Sequence, residues 1–183
     1  MPVHEMAGPR LIEPVRCFVA VWPDERAVEA LASLQRPPLE ALRWSTPQQW
    51  HVTLRFLGDL TPPHLDELLD RLHSVAPAPG VVATGGPATR LLGPGLVIWP
   101  VSGLASLAGK VAELTADIGQ PPADRPFLGH VTLARARRGA DVRRLPGLRN
   151  ELSASWPVRS IGVVQSLLRQ QGAEYSPVAE LAL

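Results

Sequence analysis

Two copies of one tetrapeptide carry the residues of this chain that are best suited to acid–base chemistry. His-Val-Thr-Leu occurs at residues 51–54 and again at residues 130–133, although the whole sequence contains only five histidines. An imidazole gives or takes a proton near neutral pH, and a threonine hydroxyl donates a hydrogen bond to an anionic oxygen. Each copy therefore suits proton transfer on a small anionic group such as a phosphate.

Both copies are rich in β-branched and apolar residues, so we predict that each forms a strand whose side chains alternate between two faces. One face of the first strand is then predicted to carry His51, Thr53 and Arg55. Its opposite face is predicted to carry Val52, Leu54 and Phe56 into a core. In the second strand, His130 and Thr132 share a face. Same-face neighbours lie about 6.5 to 7 Å apart, close enough for both to touch one phosphate.

The spacing of the two copies favours one symmetric site over two unrelated strands. A single His-x-Thr on a strand is commonplace and is usually structural. Here the copies are separated by nearly half of the 183-residue chain. That separation suggests a duplicated unit in which each half contributes one motif to a shared cleft.

The elements that must position these residues follow from turn signals and hydrophobic periodicity. Residues 1–13 are predicted to be a flexible leader, and residues 14–183 a single domain. Helices are predicted at 24–35, after Thr61 with Leu65, Leu68, Leu69 and Leu72 buried, from Ser102 to Ile118, and briefly after Asp141. Strands are predicted at 16–22, 81–83, 89–92, 96–101, 161–168 and 175–183, besides the two motif strands. The predicted class is α+β with antiparallel sheets.

Composition narrows the class of protein. No apolar run approaches the ~20 residues of a membrane span, and the N-terminal residues lack the order of a secretory signal, so a cytoplasmic, non-membrane protein is expected. Cys17 is the only cysteine, which excludes an internal disulfide and a zinc–cysteine site. His64 and His73 lie nine residues apart on a predicted helix and form no ligand pair, so we expect them at the surface and expect no metal site.

Two further groups of residues have both a functional and a structural interpretation. Six arginines fall within fifteen residues after the second motif. They are Arg135, Arg137, Arg138, Arg143, Arg144 and Arg149. Together they form either a patch that binds RNA phosphates or a solvated face. Arg135 can reach the phosphate held by His130 only if the strand bends or ends near Ala134. Among the tryptophans, Trp44, Trp50 and Trp99 are candidates for stacking on a base, although core packing is favoured for them.

Residues 51–58 and 130–135 resemble the two-histidine (2H) phosphoesterase superfamily, and are most similar to its RNA 2′,3′-cyclic phosphodiesterase family, also called 2′-5′ RNA ligase. The similarity extends to the opening strand, to Arg125-Pro126-Phe127 before the second histidine, and to Ser166 and residues 172–175 in the last hairpin. One position departs from the pattern. The family usually has proline just before its second histidine, whereas this chain has Gly129, which is expected to loosen the approach to His130.

The resemblance implies a bilobal, pseudo-symmetric fold in which two lobes, each an antiparallel sheet flanked by helices, face each other across a cleft. It implies metal-independent hydrolysis of RNA 2′,3′-cyclic phosphodiester ends to 2′-phosphomonoesters, without a cofactor and with reverse 2′-5′ ligation as a secondary activity. The residues themselves leave open which histidine is the acid. The family pattern makes His51 the general acid and His130 the general base, with Thr53, Thr132 and Arg135 binding the phosphate.

Other functions fit the same residues. The substrate could be an RNA end or a cyclic nucleotide, or a different cyclic phosphate such as ADP-ribose 1″,2″-cyclic phosphate, since only the pocket lining would differ. A non-catalytic RNA-end-binding protein is the alternative from another class, although binding alone does not need two proton-transfer groups. A monomer is expected, because the cleft would form within one chain and no heptad seam is present.

Overall fold

The structure is a computed structural model that describes residues 13–75, 80–169 and 172–183. The predicted leader, residues 1–13, lies outside these ranges except for Glu13. Within them, no helix is long and apolar enough to cross a membrane.

Ten strands and three helices make up the described part of the chain. The strands are β1 Val15–Val21, β2 Leu42–Trp44, β3 Val52–Leu60, β4 Val82–Gly85, β5 Arg90–Leu92, β6 Leu96–Ser102, β7 His130–Ala136, β8 Ala154–Pro157, β9 Ser160–Arg169 and β10 Gly172–Ala182. The helices are α1 Glu25–Ala32, α2 Pro62–His73 and α3 Ala105–Leu114. Two short 3₁₀ turns, Pro47–Gln49 and Val142–Arg144, complete the described elements, and the second is the helical stretch predicted after Asp141.

Local chemistry explains where the helices begin. The Asp24 carboxylate accepts a hydrogen bond from the Ala27 amide at 3.0 Å and caps α1. In α2 the predicted apolar stripe is buried at Leu65, Leu68 and Leu72, while Leu69 is half-buried.

The third helix is shorter than predicted at both ends. Ser102 belongs to β6, where its hydroxyl donates to the Thr84 carbonyl oxygen, so it cannot cap a helix. The chain then turns at Gly103, whose φ is +86°, before α3 begins. At the other end the Thr115 hydroxyl donates to the Val111 carbonyl oxygen as the helix stops. The prediction of a helix from Ser102 to Ile118 was therefore wrong in its bounds.

All paired strands are antiparallel, and the two motif strands meet in the middle of the sheet. The order is β10-β9-β1-β3-β7-β6-β4-β8, with β2 also paired to β7 and β5 to β6. β3 and β7 are paired only through Val52 and Val131. This junction divides the order into two sets of four strands, β10, β9, β1 and β3 on one side and β7, β6, β4 and β8 on the other. The predicted α+β fold of two antiparallel lobes that face each other at the motifs is confirmed, and the sparse pairing between β3 and β7 lets the lobes enclose a cleft.

A register shift interrupts the alternation of each motif strand at the same place. In β3, Thr53 pairs with Ala20 and Arg55 with Val19, so Leu54 is an extra residue. In β7, Thr132 pairs with Ile98 and Ala134 with Val97, which makes Leu133 the extra residue. The fifth residue after each histidine therefore returns to the histidine's face of the sheet.

The first of these shifts overturns the predicted orientation of two residues. Arg55 does not share the face of His51. It is only 6% exposed, and its guanidinium donates to the carbonyl oxygens of Phe56, at 2.6 Å, and of Gln120. Phe56 in turn lies on the histidine face instead of entering the main core, and the Arg16 guanidinium rests 4.7 Å from the centre of its ring.

Tryptophans fill the centre of the core. Trp50, Trp99 and Trp156 are almost completely buried, and the rings of Trp99 and Trp156 stack with centroids 5.8 Å apart. Trp44 is half-buried against the same core, and its indole N–H donates to the Pro37 carbonyl oxygen at 3.1 Å. The core interpretation of Trp44, Trp50 and Trp99 is therefore confirmed over base stacking. His64 and His73 are exposed on α2, as predicted.

Candidate active site

The two motifs line one cavity of about 560 Å³. All five predicted site residues border it: His51, Thr53, His130, Thr132 and Arg135. The sequence predicted no site role for the other lining residues, which are Arg16, Phe18, Arg43, Ser45, Gln49, Phe56, Ser166, Ala173 and Tyr175. The cavity volume is in the range of a nucleotide-sized ligand site.

Both histidine rings are held in the same way. Nδ1 of His51 donates to the Gln49 carbonyl oxygen at 2.8 Å, and Nδ1 of His130 donates to the Leu128 carbonyl oxygen at 2.8 Å. In each case the acceptor is the residue two positions earlier. Because a carbonyl oxygen only accepts, Nδ1 carries the proton and Nε2 is left to exchange one with a ligand. The two rings are thus prepared for the same chemistry by equivalent backbone contacts.

Aromatic side chains enclose the ring of His51. Phe18 stacks on it with centroids 4.8 Å apart, and Tyr175 meets it edge-on at 5.0 Å. This burial lowers the pKa of His51 from its ordinary 6.5 to about 4, with smaller contributions from electrostatic repulsion by Arg135 and His130. The hydrogen bond to the Gln49 carbonyl acts in the opposite direction but is the weaker influence. In the free cavity, His51 is therefore neutral at pH 7.

The cavity carries positive charge. Arg16, Arg43 and Arg135 line it, and no aspartate or glutamate is found among its described lining residues. Arg43 lies on β2 directly opposite Arg135 on β7, which brings the two side chains to the same end of the cavity. The register shift at Leu133 interrupts the alternation of β7 and turns the Arg135 side chain to the cavity face. Such a lining attracts an anionic group.

Gln49 joins the first motif to the opposite wall. Its backbone oxygen holds His51, its side-chain oxygen accepts from the Thr46 amide at 3.1 Å, and its side-chain nitrogen donates to the Ala173 carbonyl oxygen at 2.8 Å. Ala173 lies two residues before Tyr175 on β10. The 3₁₀ turn therefore fixes the distance between His51 and the strand that carries Tyr175.

Gly129 packs tightly before the second motif. A Cβ at this position would lie 2.4 Å from the Val101 carbonyl oxygen, and the Gly129 carbonyl itself accepts from the Val101 amide at 2.8 Å. The expected looser approach to His130 is therefore wrong. Glycine instead lets the segment lie directly against β6, next to the Leu128 carbonyl that orients His130.

The remaining arginines after the second motif are exposed and stay outside the cavity lining. Arg143 is paired with Asp141 at 2.7 Å at the surface. Across the described residues, no group of three or more His, Cys, Asp or Glu side chains is arranged to hold a metal ion.

The bilobal antiparallel fold, with both His-x-Thr strands at one cationic cavity, is the arrangement that the resemblance to two-histidine phosphoesterases implies. The family model described as LigT-like phosphoesterase matches residues 21–86. An RNA 2′,3′-cyclic phosphodiesterase of Thermus thermophilus is 29% identical over 188 residues, covering 92% of this chain and 90% of that protein. One of Aeropyrum pernix is 29% identical over 144 residues, covering 73% of this chain and 82% of that protein.

A solved structure from the same organism as the first relative has the same fold as this chain. The crystal structure of a Thermus thermophilus protein superposes with a TM-score of 0.77 at 26% sequence identity, over 92% of this chain and 97% of that one. These comparisons confirm the resemblance to RNA 2′,3′-cyclic phosphodiesterases that the two motifs predicted.

Proposed function

We propose that this protein opens the 2′,3′-cyclic phosphodiester at the end of an RNA to a 2′-phosphomonoester, with no metal ion. The observation that carries this proposal is the pair of imidazoles, each with Nδ1 bound to a backbone carbonyl, at one cationic cavity that also holds both motif threonines. The relatives from Thermus thermophilus and Aeropyrum pernix are named RNA 2′,3′-cyclic phosphodiesterases. We further propose that the protein acts as a monomer, since one chain supplies the whole cavity, and that it works in the cytoplasm, where an RNA substrate is available.

In the proposed reaction, Nε2 of His130 takes a proton from a water molecule as its oxygen bonds to phosphorus. The bond from phosphorus to the 3′ oxygen breaks, and protonated Nε2 of His51 gives its proton to that oxygen. The products are a 2′-phosphate and a 3′-hydroxyl. Each proton transfer contributes roughly 10² to 10⁴ in rate.

Three side chains would hold the non-bridging phosphate oxygens as their charge develops. Thr53 and Thr132 lie two residues after their histidines on the same face of the sheet, so each hydroxyl can donate to the phosphate that its histidine touches. Arg135 adds a charge-assisted contact from the end of β7.

His51 can act as the acid only if the bound substrate raises the fraction of His51 rings that are protonated. With a pKa of about 4, only about one His51 in a thousand carries the extra proton at pH 7 in the free cavity. A bound phosphate anion next to the ring favours the charged form and raises the pKa. Substrate binding is therefore accompanied by proton uptake at His51.

The test is to incubate the pure protein with a short RNA that ends in a 2′,3′-cyclic phosphate, with EDTA present throughout. ADP-ribose 1″,2″-cyclic phosphate is assayed in parallel, and phosphorus NMR identifies the product. We expect rapid opening of the RNA end to a 2′-phosphate. Opening of the ADP-ribose compound alone, a 3′-phosphate product, or loss of turnover in EDTA would refute the proposal. Tight binding of the RNA end without turnover would indicate a binding protein instead.

The reverse reaction, in which a cyclic phosphate joins a 5′-hydroxyl to form a 2′-5′ linkage, uses the same groups. We propose it as a secondary activity. Water at ~55 M competes with any hydroxyl that is not itself held in the cavity, so hydrolysis prevails.

A further inference from the structure

A second, larger cavity adjoins the first. Its volume is about 860 Å³, and Tyr175 forms part of the wall of both cavities. The 3₁₀ turn also separates them, because Gln49 borders the first cavity and its neighbour Gln48 borders the second. A ligand that extends out of the first cavity past Tyr175 would therefore enter the second.

Trp22 forms a wall of the second cavity, just beyond the end of β1. Arg16 and Phe18 line the first cavity from β1, and Trp22 continues the same two-residue alternation along the chain. Trp22 is the fourth residue after Phe18, which corresponds to about 13 Å between their backbones along the strand direction. Because Val21 pairs with Val52, the Trp22 backbone lies level with that of His51, and the Trp22 ring extends over Gly162 of β9 at the second cavity.

The indole of Trp22 is exposed yet held in place. It is 38% exposed, one of three large apolar side chains exposed within the described ranges. Its ring lies directly over Gly162, where a Cβ would come within 2.4 Å of two ring carbons. Its backbone oxygen accepts a hydrogen bond from the Trp156 indole at 3.0 Å. An exposed ring that rests on the backbone of β9 is a rigid surface on which a flat group can stack.

The charges of the two cavities differ. The first has three arginines and no carboxylate among its described lining residues. In the second, Arg26 and Arg159 are balanced by three carboxylates, Asp24, Glu25 and Glu180. A phosphate is favoured in the first cavity and disfavoured in the second, whereas a neutral base has no such penalty.

On the basis of the proposed function, we propose that the second cavity is a subsite for the base of the nucleotide preceding the cyclic phosphate, stacked on Trp22. Stacking on an aromatic side chain tolerates any base, because every base has a π-face. The natural substrate is then an RNA of at least two nucleotides instead of a free cyclic nucleotide.

The test compares kcat/KM for adenosine 2′,3′-cyclic phosphate and for a diadenosine ending in the same cyclic phosphate. Wild-type protein, Trp22→Ala and Trp22→Phe are assayed, with Val82→Ala as a control for an exposed apolar residue outside both cavities. We expect the wild type to favour the dinucleotide by between about 5-fold and about 150-fold, the range for one stacked base.

Trp22→Ala should lose most of this preference while its rate on the mononucleotide stays unchanged, which also shows that it is folded. Trp22→Phe should keep part of the preference, and Val82→Ala all of it. Equal rates of the wild type on both substrates, or an equal loss on both in Trp22→Ala, would overturn the subsite but leave the proposed function standing. If the wild type opens neither substrate, the proposed function fails, and the subsite fails with it.

Discussion

Replacing Tyr175 by alanine should raise the pKa of His51. Tyr175 and Phe18 form the two aromatic walls around this ring, and burial is the largest cause of its low pKa. The difference between the ordinary 6.5 and about 4 corresponds to roughly 3 kcal/mol against protonation, at 1.36 kcal/mol for each pH unit. Opening one of the two walls to water should restore about one pH unit or more of that difference.

The pKa of His51 is measured by following its ring carbon signals in NMR spectra between pH 3.5 and pH 8. Tyr175→Phe is the matched control, because it keeps the ring and removes only the hydroxyl, and it should leave the pKa near 4. Adding inorganic phosphate to the wild type should raise the pKa, since an anion in the cavity favours the charged ring. A wild-type pKa near 6.5, or a Tyr175→Ala value equal to that of the wild type, would refute the reasoning.

The same burial makes stability depend on pH with a defined sign. The folded chain binds a proton at His51 less readily than the unfolded chain, so the unfolding free energy decreases as pH falls from 6.5 through about 4. The loss from this one group reaches at most roughly 3 kcal/mol. His51→Gln should lack this part of the decrease, which denaturant unfolding at pH 7 and pH 4 can measure. An identical decrease in the variant would contradict the link to His51.

Two further predictions concern the surroundings of His130. Arg135→Met should lower kcat/KM for a cyclic nucleotide by roughly 10-fold to 100-fold, as expected for a lost charge-assisted hydrogen bond, whereas the exposed Arg138→Met should keep the wild-type value. Equal values for the two variants would exclude Arg135 from phosphate binding. Gly129→Ala should lower the thermal midpoint of unfolding by about 2 to 10 °C, because the added Cβ would meet the Val101 carbonyl oxygen. Gly95→Ala is the control, because a Cβ there has open space around it, and it should change the midpoint little. A midpoint unchanged in Gly129→Ala would show that the segment can move away from β6.

Those parts of the fold and site that depend on local pattern could be predicted from the sequence. The repeated motif identified both histidines and both threonines, and strand periodicity placed each histidine and its threonine on one face. The parts that failed depend on long-range register. Nothing local in residues 51–58 indicates that Leu54 is an extra residue opposite β1, yet that shift buries Arg55 and turns Phe56 towards the cavity.

Other site residues could not be predicted because their neighbours are distant in sequence. Arg43 lies on a strand of three residues, too short for a periodic signal, and reaches the cavity only through pairing with β7. Trp22 gives no functional signal in the sequence because it follows the end of a strand, and its orientation depends on Gly162, 140 residues later. The role of Gly129 likewise depends on the Val101 carbonyl.

The most direct test of the central claim is the rate at which His51→Ala and His130→Ala open adenosine 2′,3′-cyclic phosphate in the presence of EDTA. Because each imidazole is proposed to transfer one proton, each variant should lose at least about 100-fold in kcat, while the exposed His64→Ala keeps the wild-type rate. All three variants should show the wild-type circular dichroism spectrum. Near-normal turnover in either His51→Ala or His130→Ala would contradict the two-histidine mechanism.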